Sequence, residues 1–323
     1  MHVNEIETES KGECYLCGNV GKVVYHNLAD TLFGAPGKWT LKACTGANCG
    51  LLWLDPRPTV EDIGKAYRRY YTHGNVNDAR PSYGIRLIRA ILHGMSTHLL
   101  GLRSERRRYK CMYLDKTPPG RLLEVGCGSG KRLARMKALG WEVMGQEIDP
   151  VAAEYARTQK GIPVHLGSLE TLDEPNEYDA VIVSHVIEHV HDPVDLLRNC
   201  YRLLKKDGLL LMLTPNAESF GHRRFGSAWR GLEPPRHLHL FTCKTLTQLG
   251  QRAGFSHQRV WTTSVGAFGI GQQSRTSDEI PQQEGSFLSL RDVFRGFWFQ
   301  LAARLILLKH PDSGEECVLI AVK

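Results

Sequence analysis

The sequence predicts an α/β protein, a doubly wound and mostly parallel sheet with a small zinc-ribbon-like module in front of it. Three observations carry this expectation. An apolar strand runs straight into a glycine-rich turn and a helix at "RLLEVGCGSGKRLARM". Strand and helix patterns then alternate along the chain, as they do when helices cover both faces of a parallel sheet. Two close cysteine pairs, "CYLC" and "CTGANC", stand near the N-terminus.

The chain has 323 residues, 42% of them hydrophobic and 23% charged, enough to bury one large core or two smaller ones. Its 41 basic and 34 acidic residues leave a net charge of +7. So mild an excess tolerates a polyanionic partner without arguing for one, and nucleic acid is not expected. The most apolar stretch, "FWFQLAARLILL" from Phe297 to Leu308, contains Gln300 and Arg304 and falls short of the ~20 residues a membrane span requires. The opening "MHVNEIETESKGE" lacks the basic start and apolar core of a secretory leader, so a cytoplasmic location is expected.

Cysteines in a cytoplasmic chain are thiols or metal ligands. Cys14 and Cys17, followed by Cys44 and Cys49, can converge on one tetrahedral zinc, with Gly18 and Gly50 freeing the backbone behind each pair. Four thiolates leave no open coordination position, so the zinc is read as structural, holding a segment too short to close its own core. Residues 1–55 are read as tail and zinc module, and residues 56–116 as a helical connector. In the connector a helix follows Thr59, with Glu61 and Asp62 in its first turn. Ile85 to Leu114 gives a long helical pattern that includes the basic run "RSERRRYK". Such a run can grip phosphate, although a solvated helix face is its commoner role.

Beyond residue 117 the strand Leu122 to Val125 leads into Gly126, Gly128 and Gly130. Glycines there let the backbone turn sharply and approach a ligand, and the N–H groups of the new helix favour negative charge. The dinucleotide fingerprint places its third glycine where Lys131 stands, so hydride chemistry is not supported. "EVMGQEID" is a second strand ending in Glu147, whose carboxylate can accept from ribose hydroxyls. "PVHL" is a third strand, leading to Gly167, Ser168 and Leu169, and the apolar "YDAVIV" is a fourth, covered on both faces. "DPVDLLRNCYRLLKKDG" reads as an amphipathic helix closed by Gly208, and "LLLMLTPN" as a fifth strand.

In order and spacing, "LLEVGCGSG", Glu147 after "EVMG", "YDAVIVSHVIEH", "LLKKDGLLLMLTPN" and "RHLHLFTCKTLTQLGQRAGF" resemble the class I S-adenosylmethionine-dependent methyltransferases over about residues 118 to 263. The paired cysteines with "GLLWLDPRP" resemble a subgroup carrying an N-terminal zinc-binding module. The resemblance implies a seven-stranded Rossmann-like sheet within residues 117–323. "FSHQRVWTT" and "EECVLIAVK" would be its last strands, with a helical insertion at about 264–311 between them. It further implies that Gly126, Gly128 and Gly130 line the methionine moiety of S-adenosylmethionine, that Glu124 orients its ammonium group and that Glu147 holds the ribose. Where the family often binds the adenine amine with an acid, this chain has Ser168, leaving the backbone N–H of Leu169. Ser184 closes the fourth strand beside the expected donor.

Directly after that strand comes "SHVIEHVHDP". If a helical turn starts there, His185, Glu188 and His189 share one face. Such a set can hold a divalent metal, or one imidazole can act as a general base oriented by the carboxylate. The pattern is similar to the E-x-x-E-H motif of the ubiquinone-pathway O-methyltransferases and the small-RNA 2′-O-methyltransferases, where it contributes to a metal site; His185 replaces the first acid. A nitrogen-rich set leans toward zinc, iron or manganese rather than magnesium. Strand alternation lets only one of His237 and His239 face the site; the RNA-modifying relatives use a later histidine in a comparable place, so the resemblance implies His237 as a further candidate, and His191 is expected in solvent. We take His189 as the base, with His185 and Glu188 as its supports.

Methyl transfer asks the protein for alignment and, with a hydroxyl acceptor, for proton removal. The zinc-module subgroup implies a small-molecule, sugar or glycan acceptor, and the amphipathic helix of the insertion adds a lipid-linked one. Two alternatives stay open: an RNA-directed 2′-O-type methyltransferase with a His/Glu metal site, and a donor-binding protein without catalysis. In the insertion, Phe287, Leu290, Phe294, Phe297, Trp298, Leu301, Leu305 and Leu308 form a helical stripe. It reads as a lid or dimer helix packed on the core, or as a helix that touches a membrane surface.

Overall fold

The structure is a computed structural model that describes residues 5–68, 82–274 and 289–323. Five short strands come first: β1 (Thr8–Glu9), β2 (Gly21–Leu28), β3 (Trp39–Cys44), β4 (Leu52–Leu54) and β5 (Arg57–Pro58). Helices α1 (Tyr83–Leu99) and α2 (Arg103–Lys110) lead into β6 (Arg121–Val125), α3 (Lys131–Ala138), β7 (Glu142–Glu147), α4 (Pro150–Lys160) and β8 (Val164–Leu166). Then come β9 (Tyr178–Ser184), α5 (Pro193–Leu203), β10 (Leu204–Pro215), α6 (Phe220–Phe225), β11 (His239–Leu240), α7 (Cys243–Arg252) and β12 (His257–Thr263). Helices α8 (Ala267–Gln273) and α9 (Leu290–Lys309) precede the last strand, β13 (Glu316–Val322).

The expected seven-stranded sheet is present, in the order β12-β13-β10-β9-β6-β7-β8. Strands β6 to β10 are parallel, and β13 lies antiparallel between β10 and β12. Alternation sends Leu123, Val181 and Met212 into one hydrophobic cluster and Leu122, Ile182 and Leu211 into another on the opposite face. The order reverses between β6 and β9, and the crevice outside their carboxyl ends is where open α/β sheets bind ligands.

Three local expectations are corrected. The Ile85 to Leu114 pattern is two helices, broken where Gly101 takes a φ of 64°. The helix expected to run to Gly208 stops at Leu203, because the chain end competes for that backbone: Asp207 N–H bonds Lys323 O at 3.3 Å and Lys323 N–H bonds Gly208 O at 3.1 Å. The segment after Thr59 is a short 3-10 turn, Ile63–Tyr67, rather than a full helix.

The cysteine-bearing segment does not stand apart. β11, drawn from well downstream, pairs with β4 and completes a four-stranded sheet β11-β4-β3-β2. Cys14, Cys49, Leu51 and Trp53 share one hydrophobic cluster with Leu246 and Leu249 of α7.

Most of the α9 stripe, Phe297 excepted, points to solvent rather than into the core of the chain. Leu290, Phe294, Trp298, Leu305 and Leu308 are exposed, whereas Val293, Phe297, Phe299 and Ala303 are buried. Small residues set this rotation, since a Cβ on Gly296 would lie 2.7 Å from the Phe268 carbonyl and one on Gly271 2.5 Å from Phe299. Leu301 is half-buried in the seam with α1, and Phe287 lies outside the described residues. Among the described residues no helix is long and apolar enough to cross a membrane.

One buried acid gives stability a pH dependence. Glu315, 1% exposed, accepts from Gly221 N–H at 2.9 Å. Burial outweighs that bond and pushes its pKa up to about 8. A carboxyl raised by folding stabilises fully below its unfolded pKa and loses that contribution as pH rises through the folded value. Glu315→Gln should therefore gain on the wild type by about 2 kcal/mol between pH 6 and pH 9, read from urea midpoints of the two proteins.

Candidate active site

β6 carries Glu124 to the crevice and opens into the glycine turn, where Gly126, Gly128 and Gly130 have φ of 62°, 51° and 69°. A Cβ on Gly126 would lie 2.7 Å from Val186 and one on Gly130 3.0 Å from Ala156, but at Gly128 it would meet nothing within 4 Å. Packing requires the outer two glycines, while the middle one leaves open space for a ligand. Glu147 at the end of β7 accepts from Gly128 N–H at 2.7 Å through Oε2, and from Ile148 and Asp149 N–H at 2.8 and 3.0 Å through Oε1. Glu124 is buried and ion-paired through Oε1 with Arg132 of α3. Its Oε2 has no partner among the described residues, and burial raises its pKa against the pull of Arg132. An orphaned carboxylate oxygen beside an open glycine turn fits the ammonium end of S-adenosylmethionine. Arg132 also donates to Ser184 Oγ at 2.9 Å. Ser168 is exposed and Leu169 is packed in the core.

The histidine cluster is arranged differently from expectation. His185 takes a left-handed φ of 55°, and the 3-10 turn covers only Ile187–His189, so His185, Glu188 and His189 do not share a helix face. His185 places Nδ1 3.2 Å from Glu188 Oε1 and Nε2 2.9 Å from Glu316 Oε1. Desolvation opposes its charge, but the bonds to Glu188 and Glu316 prevail and hold its pKa at about 10. With both ring nitrogens donating to carboxylates, His185 has neither nitrogen free to take a proton or bind a metal. Glu188 is fully buried, accepts from Thr214 Oγ1 at 3.0 Å, and against that burial is held down at about 2 by His185.

His237 takes the place expected of His185. Ligand atoms of Glu188, His189 and His237 all lie within 4.8 Å of one another, and the two rings meet edge to face at 4.7 Å. His189 Nδ1 is 3.0 Å from Arg236 O, and His237 Nδ1 is 2.7 Å from Gly231 O. A carbonyl only accepts, so each Nδ1 donates, and in the neutral ring the lone pair lies on Nε2. Burial pushes His237 down to about 4, which keeps it neutral. His191 is not in solvent: half-buried, its Nε2 lies 2.9 Å from Pro58 O. His239 is buried beside Tyr15 and Phe241.

The sulfurs of Cys14, Cys17, Cys44 and Cys49 also lie within 4.8 Å of one another, with Cys14–Cys49 at 3.6 Å and Cys17–Cys44 at 3.3 Å. Zinc–sulfur bonds of ~2.3 Å in a tetrahedron separate sulfurs by roughly 3.8 Å, so the four residues fit a zinc ion.

Four residues of the site escaped the sequence reading. Arg132 fixes Glu124 and Ser184, and Glu316 holds His185. Gln146 ties the glycine turn to the end of β8, accepting from Gly126 N–H at 3.2 Å and donating to Gly167 O at 2.6 Å. Tyr67 brings its hydroxyl within 3.0 Å of His189 Nδ1.

Residues 102–260 match a family model described as a methyltransferase domain. A ubiquinone biosynthesis O-methyltransferase of Xanthomonas campestris is 34% identical over 106 residues, covering 31% of this chain and 44% of that protein. One of the same name from Cereibacter sphaeroides is 35% identical over 117 residues, covering 34% and 47%. The chain therefore spans about half the length of the curated relatives it matches. Among solved structures, a SAM-dependent methyltransferase and possible histamine N-methyltransferase of Thermotoga maritima covers 71% of this chain and 99% of its own, at 22% identity and a TM-score of 0.45. A SAM-dependent methyltransferase of Archaeoglobus fulgidus covers 69% and 93%, at 20% identity and a TM-score of 0.45.

Proposed function

We propose, since this chain belongs through residues 102–260 to the class I S-adenosylmethionine-dependent methyltransferases, that it methylates a hydroxyl oxygen of a small-molecule acceptor. The observation that carries the reading is the convergence of Glu188, His189 and His237, with both Nε2 lone pairs left available, just beyond Ser184 and the glycine turn. The relatives named for O-methylation in ubiquinone biosynthesis support an oxygen acceptor.

S-adenosylmethionine, when bound, supplies a methyl group on a sulfonium centre. The open space at Gly128 would accommodate its methionine portion, the Glu124 oxygen without a partner among the described residues would meet its ammonium group, and Glu147, anchored by three backbone N–H groups, would receive the ribose hydroxyls. His189 would take the acceptor's hydroxyl proton on Nε2 as the oxygen bonds to the methyl carbon and the carbon–sulfur bond breaks, leaving S-adenosylhomocysteine, while the Arg236 carbonyl holds the ring's tautomer. Glu188, buried next to it, stabilises the imidazolium that results. The same three residues favour a second reading: carbonyl-anchored Nδ1–H groups with a nearby carboxylate suit a divalent cation, which would lower the hydroxyl's pKa.

Glu147→Ala should weaken S-adenosylhomocysteine binding about 10- to 100-fold, since each hydrogen bond to a charged group contributes about 1.5–3 kcal/mol; calorimetric titration reads this directly. The acceptor class is tested by incubating the protein and S-adenosylmethionine with catechols, phenols and sugars, and measuring S-adenosylhomocysteine release. Release is expected with free hydroxyls and not with their methyl ethers. Release with RNA or amines alone would overturn the reading.

A further inference from the structure

The basic run on α2 is not simply a solvated face. Between α1 and α2 lies a cleft of about 500 Å3 lined by His93, His98, Arg103, Arg106, Arg107 and Lys110, with no carboxylate among the described residues that line it. Arg106 is only 9% exposed. Its Nη1 lies 3.0 Å from His93 Nδ1, but its Nε and Nη2 have no partner among the described residues. Glu105, the acid of the same helix, is engaged elsewhere, by Thr263 Oγ1 at 2.6 Å and Arg304 at 3.4 Å. A buried guanidinium without a counter-charge is costly, and burial correspondingly lowers the pKa of Arg106. Burial, then the charges of Arg106, Arg89 and Lys110, push His93 down to about 4. The cleft is thus strongly positive even with His93 neutral.

We propose that this cleft binds a phosphate group, with Arg103, Arg107 and Lys110 closing on its oxygens above the buried Arg106. Guanidinium pairs suit phosphate oxygens geometrically as well as electrostatically. The anion would supply a counter-charge that the described residues do not. The phosphate belongs either to a soluble ester or to a lipid headgroup: the exposed Leu87, Ile91, Met95 and Leu99 run along the same α1 that forms one wall. The inference does not depend on the methyl-transfer reading.

The test uses the full chain at low ionic strength. Inorganic pyrophosphate is titrated calorimetrically, and the protein is sedimented with phosphatidylglycerol or phosphatidylcholine vesicles. Saturable pyrophosphate binding supports a soluble ester. Sedimentation with phosphatidylglycerol vesicles alone, without pyrophosphate binding, supports a headgroup. In either case the Arg103→Glu/Arg107→Glu double variant should bind at least about tenfold more weakly, as should Arg106→Gln. Arg103 and Arg107 are exposed, so the double variant remains informative if Arg106→Gln fails to fold, and its unchanged melting temperature serves as the control. The proposal is overturned if the wild type binds neither probe, or if the folded double variant binds as the wild type does.

Discussion

His189→Ala lowers methyl-transfer turnover by about 10²- to 10⁴-fold, the usual contribution of a positioned proton acceptor, and leaves S-adenosylhomocysteine affinity nearly unchanged. The split follows from placement. His189 bonds the Arg236 carbonyl and faces His237, whereas the expected donor contacts come from Glu124, Glu147 and the glycine turn. His237→Ala separates the two chemical readings. If His189 acts alone as base, removing His237 costs less turnover than removing His189. If the pair holds a cation with Glu188, either change removes a chelator-labile metal and the two variants fall together. Steady-state kinetics combined with elemental analysis distinguishes these outcomes.

Zinc removal is expected to have the largest effect on stability. Structural zinc contributes on the order of 10 kcal/mol to folding in small zinc domains. Here the effect should reach the whole chain, because Leu51 and Trp53 beside the cysteines pack in the cluster that includes Leu246, Leu249 and Val183. A chain of hydrogen bonds also runs from the module toward the site: Leu54 N–H to Leu238 O at 3.0 Å, then Leu238 N–H to Glu188 O at 2.8 Å. Cys44→Ser, or strong chelation, should lower the melting temperature and abolish turnover together, with about one zinc per chain lost. A metal-free protein that melts like the wild type would contradict this.

The strands of the large sheet were legible because each carries its own local signal. "YDAVIV" is apolar without interruption, as a strand buried on both faces must be, and the glycines of the turn need positive φ wherever they occur. The cysteine spacing likewise states its own geometry. Long-range choices were not legible. Nothing near His185 announces Glu316, over a hundred residues away, as its second carboxylate, so a helical reading of "SHVIEH" gave it the role that His237 fills. Tyr67 and Arg132 were missed for the same reason: an aromatic in a connector and an arginine on a helix acquire meaning only through the partners the fold brings to them. The α9 stripe misled because its solvent face is as apolar as its buried one, and the rotation is decided by close approach at Gly271 and Gly296.

The central claim is that the crevice at the ends of β6 and β7 receives the methyl donor. Its most direct test is a calorimetric titration of S-adenosylhomocysteine into the purified chain, repeated with Glu147→Ala. The account predicts saturable binding at one site per chain that is strongly weakened by the substitution. Folded wild-type protein that takes up none, or binding that Glu147→Ala leaves intact, would contradict it.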